Sequence, residues 1–440
     1  MKDLRLTFEF LKCKLNTMKG KIFTARERKV VLENFTSLST LQGLNYLLPL
    51  VILPYLIRTI GPEKFGLISF AQALIQYFMI FTDYGFSLTA TKKISLCKDQ
   101  AQASTIFSTV MTVKFILAFS SYLLLLLLIN AVPKFRHDWL LYVFSFGAVI
   151  GNTLFPVWLF QGTEKMKFIT IINIIGGIIY TASLFIFIRG PEDYLLVPLL
   201  NSLFFIITGL LGLYIAFKEF DLEFVFQSYS EIRAELKTGW EVFISVVAIN
   251  TYTATRIFAV GILTNNTITG FYSIAEKITG VIQSFPLASL SQAIYPRISR
   301  IFARSKQRAL RLMHRVQHST TLAYLLAIPV LFLVSPWIIK ITCGKNYPAA
   351  VFSLRLLLIS IFFISANAFK VQFLLVCGRP DIYSRIHVLA ALLGLPLIFI
   401  FTYYFSYLGA AAATITIEAV IFISTSQILY TLTNNYRKPG

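Results

Sequence analysis

The sequence predicts an all-α polytopic membrane protein with twelve transmembrane helices in two six-helix bundles related by a parallel repeat. Three observations lead to this fold class. Of the 440 residues, 56% are apolar and 14% are charged, whereas about 25% of the residues of an ordinary soluble domain are charged. Apolar runs long enough to cross a bilayer recur along the whole chain. A sequence similarity also relates the two halves of the chain.

Twelve apolar runs, separated by Gly, Pro and clusters of charge, define the spans, because a spanning helix needs about 20 mostly apolar residues. They lie at roughly 35–60, 66–90, 104–130, 138–161, 167–189, 193–217, 237–263, 267–296, 309–334, 348–376, 381–404 and 406–432. The bundles are therefore predicted at 35–217 and 237–432, with a linker at 218–236 and tails at 1–34 and 433–440. The first tail contains no apolar signal peptide. It is either an interfacial helix on anionic headgroups or a frayed basic segment.

The distribution of basic residues predicts the orientation in the membrane. Of the 40 Lys and Arg residues, 28 fall on the side of the two termini, 7 on the other side and 5 within the spans. Cytoplasmic loops carry the excess of positive charge. Both termini are therefore predicted to be cytoplasmic. The net charge of +20 indicates membrane topology here rather than binding to nucleic acid.

The two halves share a short sequence pattern at one fixed offset. Residues 66–72 are Gly-Leu-Ile-Ser-Phe-Ala-Gln, and residues 270–276, 204 positions later, are Gly-Phe-Tyr-Ser-Ile-Ala-Glu. The same offset pairs Lys93 with Arg297 and Ser95 with Ser299. Each copy begins on the same side after one preceding helix, which indicates a parallel repeat; chance similarity between apolar helices is the alternative.

Polar side chains form stripes on several of the predicted spans, and such stripes cannot face lipid. One stripe follows helical spacing from Ser69 through Gln72 and Gln76 to Asp83. Charged residues within spans are costly unless they are paired or wet, at about 3 kcal/mol each near the bilayer centre. These residues predict either a net positive cavity for an anionic headgroup or structural ion pairs between helices. The candidate cavity residues are Lys114, Arg256, Lys277, Gln72, Gln76 and Tyr252, and the candidate ion-coupling carboxylates are Asp83, Glu276 and Glu418.

Signals for catalysis and for metal binding are weak. The chain has four Cys in no CxxC pair, and it contains neither a GxxxxGK[ST] loop nor an HExxH motif. We therefore expect no catalytic residue, no metal site, no cofactor and no structural disulfide.

The first two spans resemble those of a known family. Residues 43–66, Gly-Leu-Asn-Tyr-Leu-Leu-Pro-Leu-Val-Ile-Leu-Pro-Tyr-Leu-Ile-Arg-Thr-Ile-Gly-Pro-Glu-Lys-Phe-Gly, and residues 82–86, Thr-Asp-Tyr-Gly-Phe, resemble the opening of Wzx-type O-antigen flippases. These belong to the polysaccharide transport branch of the multidrug/oligosaccharidyl-lipid/polysaccharide exporter superfamily. The positions that agree with the family motif are Pro49, Pro54, Gly61, Pro62, Gly66, Gln72, Asp83 and Gly85.

The resemblance implies a flippase of the bacterial inner membrane. Such a protein would move an undecaprenyl-pyrophosphate-linked oligosaccharide from the cytoplasmic to the periplasmic leaflet by alternating access. Its partners would be this substrate, membrane lipids, H⁺ or Na⁺ as a coupling ion, and other polysaccharide assembly proteins. The prenyl tail would stay in lipid between the bundles. A polysaccharide polymerase or ligase is a rival, although the short outer loops leave little room for a catalytic domain. A drug or ion exporter of the same superfamily is another.

Overall fold

The computed structural model describes residues 25–97 and 99–437. Side chains are described at 41 and 43 and over 48–432, apart from 98, 249, 251–253, 285, 289, 292, 293, 296 and 380. The tail at 1–24 lies outside the described residues, so the interfacial helix stays a prediction.

Within the described residues, the chain folds into α-helices joined by short connections. They are α1 (Ala25–Asp83), α2 (Phe86–Ser95), α3 (Gln100–Ala131), α4 (Pro133–His137), α5 (Trp139–Leu154), α6 (Val157–Gly162), α7 (Lys167–Phe187), α8 (Leu196–Phe220), α9 (Tyr229–Leu263), α10 (Asn266–Arg304), α11 (Lys306–Cys343), α12 (Pro348–Val376) and α13 (Pro380–Arg437). A 3₁₀ turn at Pro191–Leu195 precedes α8.

Two of these helices contain a break and therefore supply two spans each. In α1 the break is at Gly61, whose φ of 77° is available to glycine at little cost. In α13 it is at Ser406, with φ 54°. The described chain thus holds twelve long helical segments, since α5 and α6 together form one. The predicted count of twelve is confirmed.

Eight helical stretches in the described part of the chain are long and apolar enough to cross a membrane, and two of these contain the breaks. Helices α9 and α10 are also long enough, but they are less apolar because they carry Glu241, Arg256, Glu276 and Lys277. The chain is a multi-pass membrane protein.

The same helix pairs pack in both halves. In the first half, α5 packs on α8 and α1 packs on α7. In the second half, α12 packs on α13, where Lys370 Nζ lies 2.8 Å from Ser426 Oγ. Helix α9 also packs on α13, with 3.0 Å between Ser245 Oγ and Ser384 Oγ. In each half the fourth span therefore meets the sixth, and the first meets the fifth, as a parallel repeat requires.

The repeat partners Gly66 and Gly270 pack against each other where the halves meet. A Cβ on Gly66 would lie 1.9 Å from the carbonyl oxygen of Asn266 and 2.5 Å from the amide nitrogen of Gly270. A Cβ on Gly270 would lie 1.9 Å from the carbonyl oxygen of Pro62. Pro62 and Asn266 are themselves 204 positions apart. The contact is therefore reciprocal, as in a two-fold interface, and leaves space for no side chain larger than hydrogen.

The linker between the halves is attached to the first half. Backbone amides of Glu223 and Val225 donate to the hydroxyls of Ser104 and Ser108 on α3, at 3.1 and 2.9 Å. These bonds satisfy donors of an extended segment that has no neighbouring strand. Ser228 then begins α9 with a capping box, in which its amide and hydroxyl donate to Glu231 and lower the pKa of that carboxylate. Residues 229–236 of the predicted linker are therefore helical.

We predict that Gly270→Ala destabilises the protein, because its methyl group would overlap backbone atoms that cannot move independently. Overpacking of this kind costs about 1–3 kcal/mol. Gly280→Ala in the same helix is the matched control. A Cβ there meets nothing within 4 Å, and alanine favours a helix by about 0.5–1 kcal/mol over glycine. Thermal unfolding of the purified proteins in detergent measures both. Equal melting temperatures would show that the glycine contact is looser than described.

Candidate functional site

The polar stripe of α1 lies partly inside the seam between the halves. Ser69, one turn after Gly66, is 2% exposed, and its repeat partner Ser273 is 0% exposed. Neither hydroxyl has a hydrogen-bond partner within the described residues. Gln72 is half-buried, whereas Gln76 is exposed. The stripe therefore runs from a closed contact at Ser69 to an accessible amide two turns later.

A cluster of charge occupies the second half. Arg256 on α9 and Glu276 on α10 form an ion pair with 3.1 Å between Nε and Oε1, and each side chain is 17% exposed. The other carboxylate oxygen of Glu276, Oε2, is buried and has no hydrogen-bond partner within the described residues. The next residue, Lys277, lies 6.0 Å from the ring centroid of Phe65 in the first half. This cluster thus contains two cations and one carboxylate whose second oxygen has no hydrogen-bond partner within the described residues.

A separate pair of charges lies in the first half. Lys114 on α3 is only 2% exposed and donates to the carbonyl oxygen of Asn152 on α5 at 3.1 Å. Asp83, at the end of α1, accepts a hydrogen bond from Ser87 at 3.0 Å. The described contacts of Lys114 thus lie within the first half, whereas Arg256 pairs with Glu276 in the second.

Two other predicted site residues are located less completely. Glu418 is buried in α13 at 8% exposure. Tyr252 belongs to α9, but its side chain lies outside the described residues. Their roles stay predictions.

Aromatic contacts that the sequence analysis did not identify join the halves along α1 and α9. Tyr77 and Thr255 share a hydrogen bond of 2.6 Å between their hydroxyl oxygens. The rings of Phe70 and Phe258 stack at 5.4 Å, and those of Tyr84 and Phe243 at 4.5 Å. Beside them lies a cleft of about 380 Å³ between α1, α3 and α9, here called the seam cleft. Its lining includes Phe78, Phe81, Leu124 and Val247.

The two family-like motifs lie at opposite ends of this seam. Pro62 and Gly66, which follow the break at Gly61, form the contact with α10 at one end, here called the Gly61 end. At the other end, Tyr84 donates from its hydroxyl to the carbonyl oxygen of Leu236 at 3.1 Å. Gly85 has φ 78°, and a Cβ there would lie 2.8 Å from Val242. The motif residues thus contribute close contacts between the halves at both ends.

At the Gly61 end, two cations of the first half donate to carbonyl groups at helix ends of the second half. Lys134 Nζ donates to Gly261 O and, at 3.0 Å, to Thr264 O, where α9 ends. Arg58 donates to Ile341 O near the end of α11. Helix C-termini carry partial negative charge, so cations there are stabilising. We call these two interactions the capping contacts. From the sequence alone, both residues contribute only to the count of basic residues that predicts the orientation in the membrane.

Comparison with known proteins agrees with this fold and these motifs. Residues 31–302 match the model of a family described as polysaccharide biosynthesis protein. The chain belongs to this family. A protein of Escherichia coli (strain K12) named "Putative O-antigen transporter" is 33% identical over 405 residues, covering 91% of this chain and 96% of that protein. The sequence resemblance to O-antigen flippases is thereby confirmed.

Solved structures with low sequence identity share the fold. A lipid II flippase MurJ in an inward closed conformation has a TM-score of 0.70 at 12% identity, covering 89% of this chain and 87% of that one. An inward-facing multidrug resistance MATE family transporter of the MOP superfamily has a TM-score of 0.66 at 13% identity, covering 91% and 99%. For this member of the polysaccharide biosynthesis family, both likenesses support the fold of two six-helix bundles.

We predict that Arg256→Gln destabilises the protein, because it leaves the Glu276 carboxylate buried without its cation. Removing one partner of a buried pair costs about 3–5 kcal/mol. The double variant Arg256→Gln/Glu276→Gln should recover most of this loss, since it buries no unpaired charge. Lys165→Gln, which removes one partner of an exposed pair with Glu219, is the control and should change the melting temperature little. If Arg256→Gln behaves like that control, the pair is not structurally important.

Proposed function

We propose that the protein is a transporter rather than an enzyme, and that it flips an undecaprenyl-pyrophosphate-linked O-antigen oligosaccharide from the cytoplasmic to the periplasmic leaflet of a bacterial inner membrane. The observation that carries this proposal is the reciprocal Gly66–Gly270 contact between two repeat-related bundles of a polysaccharide biosynthesis protein. Two repeat-related bundles can rock against each other, so that this contact is closed in one state and broken in the other. The names of the relative and of the MurJ neighbour support the substrate class.

The charged residues suit a diphosphate and a hydrophilic glycan. Lys277 follows Gly270 along α10, and Arg256 pairs with Glu276 of the same helix. Gln72 and Gln76 supply amides that can exchange hydrogen bonds with sugar hydroxyls. Lys114 is enclosed between α3 and α5 in this conformation. It would contact substrate only in a state that separates α3 from α5. We therefore propose two groups of cavity residues, one in each bundle.

Alternating access would open the Gly61 end. Because cytoplasmic loops carry the excess of Lys and Arg, this end is assigned to the periplasm and both termini to the cytoplasm. Opening breaks the glycine contact and the two capping contacts, but it wets the hydroxyls of Ser69 and Ser273. A buried hydroxyl without a partner costs about 1–3 kcal/mol. Hydration of the two hydroxyls would therefore offset part of the cost of opening, so neither state need be strongly preferred.

Ion coupling would use a carboxylate that exchanges partners. Glu276 is the best placed of the three candidates, because one of its oxygens binds Arg256 while the other has no partner within the described residues. A proton or a sodium ion on this carboxylate would release Arg256 toward an anionic headgroup. Asp83 and Glu418 are the other candidates.

We predict that the full-length protein in liposomes moves a lipid-linked oligosaccharide between leaflets, measured as sugar accessible to an impermeant glycosidase. Lys277→Gln should slow this movement by about ten-fold, because a hydrogen bond to a charged group contributes about 1.5–3 kcal/mol. Lys218→Gln, which removes an exposed cation near the end of α8, is the control. Equal leaflet distributions with and without the protein would exclude flipping. A product longer than one repeat unit would indicate a polymerase. Rates that are indifferent to pH and sodium gradients would exclude ion coupling.

We predict that removing the capping contacts shifts the protein toward the state open at the Gly61 end. In a Ser273→Cys variant whose four native cysteines are replaced by serine, Arg58→Gln with Lys134→Gln should raise labelling by an impermeant maleimide several-fold. Three hydrogen bonds from charged groups stabilise the closed state by roughly 4 kcal/mol or more. Lys218→Gln in the same background is the control. Unchanged labelling would mean that the glycine contact alone holds this end closed.

A further inference from the structure

A groove lies within the second bundle, between the two segments of α13 that precede and follow the break at Ser406. Its volume is about 560 Å³. The two segments run antiparallel, so residues equally distant from Ser406 lie at the same level. Arg385 and Gln427, each 21 residues from Ser406, mark one level, and both line the groove. Leu393 and Val420 line it nearer to the break.

The two ends of the groove differ in chemistry. Arg379, Arg385, Ser424 and Gln427 supply polar groups at the end away from the break, and the remaining lining residues are Ile, Leu, Val and Ala. Arg379 is held at this mouth by a bidentate bond to Asp381, at 3.1 and 2.9 Å. Arg385 is exposed. The groove therefore fits an amphiphile with an anionic head and an apolar chain.

The length of the groove matches one leaflet. From Arg385 to Leu393 the helix rises about 12 Å at ~1.5 Å per residue, and half of a bilayer's hydrocarbon core is about 15 Å. Leu389 and Leu393 are 59% and 63% exposed, so the apolar wall is accessible from the side. The basic-loop orientation puts the arginine mouth at the cytoplasmic interface.

The mouth of the groove adjoins the helix that carries the central charges. Ser384, the residue before Arg385, contacts Ser245 of α9 at 3.0 Å, and α9 also carries Arg256. The seam cleft is the other apolar opening. Its lining contains Tyr, Ser, Phe, Leu, Ile and Val but no arginine or lysine among the described residues. Charge complementarity to a phosphate therefore distinguishes the α13 groove from the seam cleft.

We infer that the α13 groove binds the polyprenyl chain of the lipid-linked substrate in the cytoplasmic leaflet, with the diphosphate on Arg385 beside the Arg379–Asp381 pair. This inference rests on the proposed function. It differs from a tail that stays in lipid between the bundles, because it attaches the chain to the second bundle. The glycan then enters along α9 while the tail moves with α13.

The test measures binding of undecaprenyl pyrophosphate without sugar to the full chain in nanodiscs of phosphatidylcholine. Arg385→Gln should weaken binding roughly ten-fold, the loss expected for one charge-assisted hydrogen bond, and Arg385→Lys should restore part of it. Arg311→Gln, an exposed arginine of α11, is the control. Leu393→Trp, which fills the groove, should also weaken binding. Leu392→Trp is its matched control, because Leu392 is equally exposed at 63% but does not line the groove.

Each outcome has one meaning. Selective loss of binding in Arg385→Gln and Leu393→Trp supports the groove. Equal binding by Leu393→Trp and Leu392→Trp overturns it, and flipping by the wild type would still stand. Equally tight binding of phosphatidylglycerol overturns it as well, because the site would then be a general anionic-lipid surface. If the wild type binds the polyprenyl diphosphate through these residues but flips nothing, the proposed function fails and the groove remains.

Discussion

The backbone contact between Gly66 and Gly270 is the constraint on which the arrangement of the two halves depends. A dry, close approach of two helix backbones requires residues without side chains, and in a membrane such packing supplies the association that the hydrophobic effect cannot. The contact is reciprocal through Pro62 and Asn266, so it places a pseudo-two-fold axis between the bundles. The positions of Ser69, Ser273, Gln72 and Glu276 relative to the seam follow from that axis.

The ends of the seam explain why the family-like motifs are short and separate. Gly61 breaks α1 so that Pro62 and Gly66 reach α10, whereas Gly85 provides a left-handed turn pressed against α9. Between the two ends, aromatic rings fill the interface, and each half keeps its own group of charges. In the first half Lys114 donates to the carbonyl oxygen of Asn152, and in the second half Arg256 pairs with Glu276. The charged groups therefore lie on both sides of the seam rather than in one uniform lining.

Much of the fold could be predicted because membrane-spanning segments are encoded locally. Apolar runs fixed the twelve segments, and the offset of 204 positions identified Gly66 and Gly270 before their contact was known. The site was less predictable. Helical spacing put Lys114 and Arg256 on inward faces, but it could not show that α3 and α5 enclose one of them. Arg58 and Lys134 were missed because their acceptors are backbone carbonyls 283 and 127 residues away, and any residue type can supply those. The break at Ser406 falls where the sequence analysis divided two spans, but the groove depends on how those spans pack side by side, which no local pattern encodes.

The capping contacts break the symmetry that the helices obey. The repeat offset maps Arg58 onto Ile262 and Ile341 onto His137, so the two contacts occupy equivalent places. Yet both cations come from the first half, and both carbonyl acceptors come from the second. A dimer of two second halves would lack the Arg58 and Lys134 side chains that cap these helix termini here, so identical subunits could not reproduce this closure.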